Sequence, residues 1–210
     1  MLSLPVTLAA RLLPVAVLAA AGWGLTGDPS GATRPAASSD TAPSLKSAPA
    51  PGFDKPPAPC GALSAKTVGK LVPGAGANGS EIRSTDARRR SGCSWHALQG
   101  FDYRWLDVAY EVSPAGERSR TAGAVYGGHR QPTAVPDLGD EASVGTEVTE
   151  EDGQPTRRTV VAVRAKNAVV TVTYNGSDFE HSTAPSSGTM REGALTAARE
   201  AVAELAGVGS

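Results

Sequence analysis

A period-two alternation of valines between Thr159 and Tyr174 restricts the folds that this chain can adopt more than any other feature of its sequence. If Lys166-Asn167 forms a two-residue turn, three pairs share one side of a hairpin: Ala165 with Ala168, Val163 with Val170, and Val161 with Val172. A shift of the pairing by one residue would send the valines to opposite faces, so the turn and the alternation specify the same register. The segment therefore predicts a β-hairpin with one buried face.

Other segments of the chain show the same period of two. We expect a strand around Cys93-Ser-Trp95 and a second strand from Tyr103 to Val112, whose apolar positions are Leu106, Val108, Tyr110 and Val112. In that strand the alternate positions hold Asp107, Ala109 and Glu111. Val144–Thr149 predicts a strand that joins the hairpin through the turn Glu151-Asp152-Gly153.

Helices are predicted at the two ends of this strand-rich region. Ser64 caps a short first helix, with Leu63 packing on Val68, and Pro73 ends it. Thr189 to Ala206 predicts the last helix, with a capping box of Thr189 and Glu192, a stop at Gly207, and an apolar stripe of Leu195, Ala198, Val202 and Leu205. The fold class is therefore α+β: an antiparallel β-meander sheet with N- and C-terminal helices packed on one face.

Two intervening segments are less regular. Gly74 to Gly92 is rich in Gly, Ser and Arg and predicts a long loop. Pro114 to about Tyr126 predicts a helix that is weakened by its glycines.

Residues 1–25 have the proportions of an export signal. Arg11 is the only early charge, and Leu12 to Ala21 is an apolar run broken only by Pro14. The small residues at its end make cleavage after Ala21 the first expectation, and an uncleaved membrane anchor is the alternative. Lipid attachment is not expected, because Ala21 stands where a lipoprotein has its cysteine.

Residues 26–59 are predicted to be a disordered tether. Eight of the 16 prolines lie between Pro29 and Pro59, and large apolar side chains are almost lacking, so the segment cannot offset its ordering entropy. We expect a single folded domain over residues 60–207, a length that supports one hydrophobic core. With residues 1–25 in front, the chain is predicted to be extracytoplasmic, either secreted or membrane-anchored at the cell envelope, with membrane contact through residues 1–25 if they are not cleaved.

The chain has two cysteines, so only one intramolecular disulfide is possible, between Cys60 and Cys93. An exported protein meets an oxidising environment, which favours this bond over two free thiols.

Four short motifs occur together in this region: Cys60 before a short helix, Cys93-Ser-Trp95 at the opening of a strand, Asp137-Leu-Gly-Asp-Glu-Ala142 before the meander, and a closing Ala-rich helix. Together they resemble the small actinobacterial cell-envelope lipoproteins of unknown function. The likeness covers most of Cys60 to Gly207. This chain lacks the lipidated cysteine and the second cysteine pair that many such domains carry. The resemblance implies an envelope location and an α+β fold, and it brings no activity.

The sequence gives little support for catalysis or cofactor binding, and we expect no enzyme, no metal and no cofactor. Its net charge of −1 does not favour nucleic-acid binding. Nucleophile elbows, phosphate loops and dinucleotide fingerprints are lacking, and His96, His129 and His181 lie at no metal-ligand spacing. The acidic residues from Asp137 to Asp152 lack the calcium-loop pattern, and Arg88-Arg89-Arg90 predicts a solvated loop.

The densest aromatic cluster is the remaining candidate site: Trp95, Phe101, Tyr103 and Trp105. Such residues either form core or line a binding face. The expected function is non-catalytic binding of an envelope partner protein or a small apolar ligand. A structural domain without a ligand and an unrecognised envelope hydrolase are the alternatives.

Overall fold

The computed structural model describes residues 52–58, 60–114, 116–117, 119–126 and 132–208. The helices are α1, Ala65–Leu71, and α2, Ser187–Val208, with a short 3-10 helix at Ala122–Tyr126. The strands are β1, Ser80–Glu81; β2, Arg90–Gln99; β3, Asp102–Val112; β4, Thr133–Ala134; β5, Glu141–Glu151; β6, Gln154–Ala165; and β7, Ala168–Asp178.

All the strands belong to one antiparallel sheet, in the order β1-β2-β3-β7-β6-β5-β4. The predicted antiparallel α+β class is confirmed, but the prediction of one meander with its strands in sequence order was wrong. The chain forms one meander from β1 to β3 and another from β4 to β7, and β7 joins them by pairing with β3 along its whole length. This order places β3 and β7, with their apolar alternation, at the centre of the sheet, where burial of apolar side chains is most complete.

The hairpin of β6 and β7 has the predicted register. Ala165 pairs with Ala168, Val163 with Val170, and Val161 with Val172. All six of these residues except the partly buried Ala165 lie in the core. The turn between β5 and β6 is also as predicted: Glu151 pairs with Gln154, and Asp152 and Gly153 between them have φ of 51° and 76°.

The first helix begins as expected, because the Ser64 hydroxyl accepts the N–H of Thr67 at 3.2 Å.

The last helix begins earlier than expected: the hydroxyl of Ser186, not Thr189, is the cap, and it accepts the N–H of Thr189 at 3.1 Å. The predicted stripe also needs correction, since Leu195 and Val202 are only partly buried. The fully buried stripe is Met190, Ala194, Ala197, Ala198, Ala201 and Leu205. Its small side chains let the helix backbone approach β6 and β7 closely.

Ordered packing extends ahead of Cys60. The aromatic ring of Phe53 is buried, and Pro56 and Pro57 are buried as well. The Pro57 carbonyl accepts a hydrogen bond from the Ser91 hydroxyl at 3.0 Å. Residues that the sequence assigned to the tether therefore pack on the folded domain.

Cys60 and Cys93 form the expected disulfide, with their Cα atoms 5.1 Å apart. Cys93 is fully buried in β2, so the bond ties the start of the domain to the sheet. The expected loop at residues 74–92 contains β1 and the first residues of β2. The helix expected from Pro114 is reduced, among the described residues, to the 3-10 helix.

Within the described residues, no helix is long and apolar enough to cross a membrane. The described part of the chain does not include residues 1–51, so the predicted export segment and most of the predicted tether lie outside it.

Candidate functional site

The sheet has an inner face, which packs against the helices, and an outer face. On β3, Leu106, Val108, Tyr110 and Val112 point inward and are buried, as the alternation predicts. Tyr103, Trp105, Asp107, Ala109 and Glu111 occupy the alternate, outward positions. Because neighbouring strands pair in register, each outward residue of β3 lies beside outward residues of β2 and β7.

One end of this outer face carries a cluster of exposed apolar side chains, which we call the aromatic patch. It consists of Leu98, Phe101, Tyr103, Trp105 and Phe179. Phe101 is 58% exposed, Leu98 59%, Phe179 46% and Trp105 39%. Most of the large apolar side chains that are exposed in the described residues therefore gather at one place.

Strand pairing brings the members of the patch together. Leu98 on β2 is the register partner of Tyr103 on β3. The chain turns between these strands at Gly100, whose φ of +62° suits glycine, and this turn presents Phe101. Phe179 follows the end of β7, and its N–H donates to the carbonyl of Phe101 at 3.0 Å.

Specific contacts orient the aromatic rings. The rings of Tyr103 and Phe179 lie 6.3 Å apart, within the range of aromatic pairs. The indole N–H of Trp105 is 2.7 Å from the Asp107 carboxylate and 2.8 Å from the Ser94 hydroxyl. His96 lies edge-on to Trp105, at 6.5 Å between ring centroids. The N–H of Trp105 is therefore satisfied within the protein.

Carboxylates and basic side chains are paired around the patch, and Arg104 contacts the Asp102 carboxylate at 3.3 Å. Burial raises the pKa of the Tyr103 hydroxyl above 10.0, and the Asp107 carboxylate adds to this increase. Beside Phe179, the ring of His181 contacts the carboxylate of Asp178 at 2.8 Å. This hydrogen bond lowers the pKa of Asp178 below 3.8 and raises the pKa of His181 above 6.5.

Trp95 does not belong to this surface, contrary to the grouping made from sequence. It is 1% exposed, and its indole N–H donates to the carbonyl of Ala77 at 3.1 Å. The reason is strand parity: Trp95 pairs with the inward-facing Leu106, whereas His96 pairs with the outward-facing Trp105. Phe101, Tyr103 and Trp105 do lie together.

Two patch residues, Leu98 and Phe179, were missed from the sequence. Once the turn at Gly100 is recognised, the alternation of β2 places Leu98 on the face of Tyr103. Phe179 had no comparable signal, because its position depends on the pairing of β3 with β7, which are distant in sequence.

Three of the acidic residues between Asp137 and Asp152 form ion pairs with arginines. Asp140 and Glu141 both pair with Arg164, and Glu147 pairs with Arg158. No group of three or more His, Cys, Asp and Glu in the described residues is arranged to hold a metal ion. His129 lies outside the described residues.

No protein-family model, curated protein or solved structure matches this chain.

Proposed function

We propose that this protein is a non-catalytic binding protein of the cell envelope that captures a partner protein through the aromatic patch. The observation that carries the proposal is the exposure of Leu98, Phe101, Trp105 and Phe179 at one end of the outer face. Contiguous exposed apolar surface in a soluble domain is typical of interaction sites, and aromatic side chains dominate the binding energy of such sites.

The form of the patch favours a protein over a small apolar ligand. Three surface cavities in the described part of the chain are lined by other residues. Small ligands bind in concave pockets that cover most of their surface, whereas a protein can supply the concave side itself. The carboxylates around the patch are already engaged, Asp102 by Arg104 and Asp178 by His181, so the exposed apolar side chains are the proposed contact surface.

The envelope location is also part of the proposal. A disulfide between Cys60 and Cys93 fits an oxidising compartment outside the cytoplasm. The apolar residues 1–25 and the likeness to envelope lipoproteins support the same location.

The test uses a photo-crosslinking residue at position 101 and, as a control, at Val148, which is 46% exposed but lies outside the patch on β5. The partner that crosslinks at position 101 is identified, and its affinity for purified full chains is measured by titration. We expect the double variant Phe101→Ala/Phe179→Ala to bind about 30-fold more weakly, because two hot-spot side chains are lost.

Val148→Ala is the matched control and should bind like the unaltered chain. Both variants should keep the thermal unfolding midpoint, since these side chains are exposed. Equal crosslinking at the two positions, or equal affinity of the patch and control variants, would contradict the proposal.

A further inference from the structure

A second feature of the outer face lies at the end opposite the aromatic patch. It is a cavity of about 530 Å³ between β2, β3, β7 and the segment that follows β1. The nearest members of the patch and the cavity on β3, Trp105 and Ala109, are four positions apart, which corresponds to about 13 Å in a strand, and no residue belongs to both. Its volume lies within the range of about 300–1,000 Å³ that is typical of small-molecule sites.

The floor of the cavity is made of small outward-facing residues. Gly92 on β2, Ala109 on β3 and Thr171 on β7 are register neighbours across three strands. Ile82 closes over this floor so tightly that a Cβ at Gly92 would lie 3.3 Å from the Ile82 Cδ1. Ile82, Ala109 and the buried Val169 form one apolar wall of the cavity, and the hydroxyls of Ser84, Thr85 and Thr171 make other parts of its lining polar.

The rim of the cavity carries an excess of positive charge. Arg83, Arg90 and Arg120 line it, and Glu111 is the acidic residue among the lining residues. Arg90 and Arg120 reach Glu111 at 3.4 and 2.7 Å. Arg83 has no carboxylate within ion-pair distance in the described part of the chain. A guanidinium has five N–H donors in a planar fork, so these arginines keep donors available for an anionic group.

From these two properties we infer that the cavity binds a small organic anion with an apolar body. The acidic group of the ligand, a carboxylate, sulfonate or phosphate ester, lies against Arg83 and Arg120. Its apolar part lies against Ile82 and Ala109. This site is independent of the proposed partner-binding surface, so either assignment can fail without the other.

The test compares two fluorescent probes that share one ring system. Anilinonaphthalene sulfonate is an apolar anion, and N-phenylnaphthylamine is its uncharged counterpart without the sulfonate. Each probe is titrated into the purified full chain and its variants, which all carry the same apolar residues 1–25. Differences between variants therefore report on the altered side chains.

The double variant Arg83→Gln/Arg120→Gln removes two positive charges and leaves Glu111 paired with Arg90. We expect it to bind the sulfonate about tenfold more weakly and to bind the uncharged probe unchanged, since only the charged contact is lost. Thr171→Phe fills the cavity from β7 and should weaken both probes. Arg158→Gln, on the same face but paired with Glu147, is the matched control and should change neither affinity.

Three results would overturn the inference. Unchanged sulfonate affinity in the double variant and in Thr171→Phe would show that the probe does not occupy the cavity. Equal weakening of both probes by the double variant would show that the arginines confer no preference for anions. Loss of binding in Phe101→Ala/Phe179→Ala, with normal binding in the cavity variants, would place the probe on the aromatic patch.

Discussion

At the scale of single residues, Asn167 shows how one side chain holds distant parts of the chain together. Its amide oxygen accepts the N–H of Phe53 at 2.7 Å, and its amide nitrogen donates to the carbonyls of Phe53 and Ser113 at 2.9 and 2.8 Å. The sequence identified Asn167 only as a turn residue. Its contact with Phe53 spans 114 positions and leaves no local pattern, which is why the packing of residues 52–58 was not predicted.

Asn167→Ala tests this role. The substitution leaves the N–H of Phe53 and two carbonyls without their partner in a buried place, so we expect a loss of about 2–3 kcal/mol in the free energy of unfolding. Urea denaturation measures the loss, and limited proteolysis should show faster cleavage around residues 52–58. Asn175→Ala, on the outer face of β7, is the control and should change stability by less than about 0.5 kcal/mol. Equal stability of the two variants would contradict the assigned role.

At the scale of secondary-structure elements, local patterns predicted the hairpins well and the last helix less well. A two-residue turn and a period of two fix the register of β6 and β7 without further information. The prediction for α2 placed the buried face wrongly, because it assigned the larger side chains, Leu195 and Val202, to the buried stripe. In the structure the small residues of α2 are buried instead, because they let the helix pack closely on the sheet. In the same helix Gly193 is buried against Tyr174 and Leu71.

Gly193→Ala should destabilise the protein although alanine favours helices. A Cβ at this position would lie 2.9 Å from Cε1 of Tyr174 and 3.0 Å from Cδ2 of Leu71. The Tyr174 ring cannot move away easily, because its hydroxyl donates to the carbonyl of Leu71. We expect a loss of about 1–3 kcal/mol by thermal and urea unfolding.

The matched control for this substitution is Gly188→Ala in the first turn of the same helix, where an added Cβ would meet no atom within 4 Å. It should be neutral or stabilising by up to about 1 kcal/mol, as helix propensity predicts. If Gly193→Ala is as stable as Gly188→Ala, the close approach of α2 to the sheet is not a constraint on this position.

At the scale of the whole molecule, the sequence predicted the α+β class, the antiparallel sheet and the disulfide, but not the order of the strands. Alternation shows which residues of β3 and β7 are buried, and it does not show which strands are neighbours. The pairing of β3 with β7 brings together residues more than 50 positions apart. The aromatic patch was also predictable only in part. The alternation indicated Phe101, Tyr103 and Trp105, whereas the position of Phe179 depends on the strand order.

The disulfide is the other long-range constraint, and its contribution can be measured. Closing a loop over a sequence separation of 33 residues restricts the unfolded chain, which in the chain-entropy model stabilises the fold by about 3.7 kcal/mol. Chain that is reduced while unfolded and then refolded under reductant should therefore melt about 10 °C below the oxidised protein.

The double variant Cys60→Ala/Cys93→Ala is the control: its unfolding midpoint should be low and should not respond to reductant. Before reduction, peptide mapping should recover the two cysteines as one linked pair. A full yield of alkylated thiols in the unreduced protein, or an unfolding midpoint that reduction leaves unchanged, would contradict the assigned contribution of this bond.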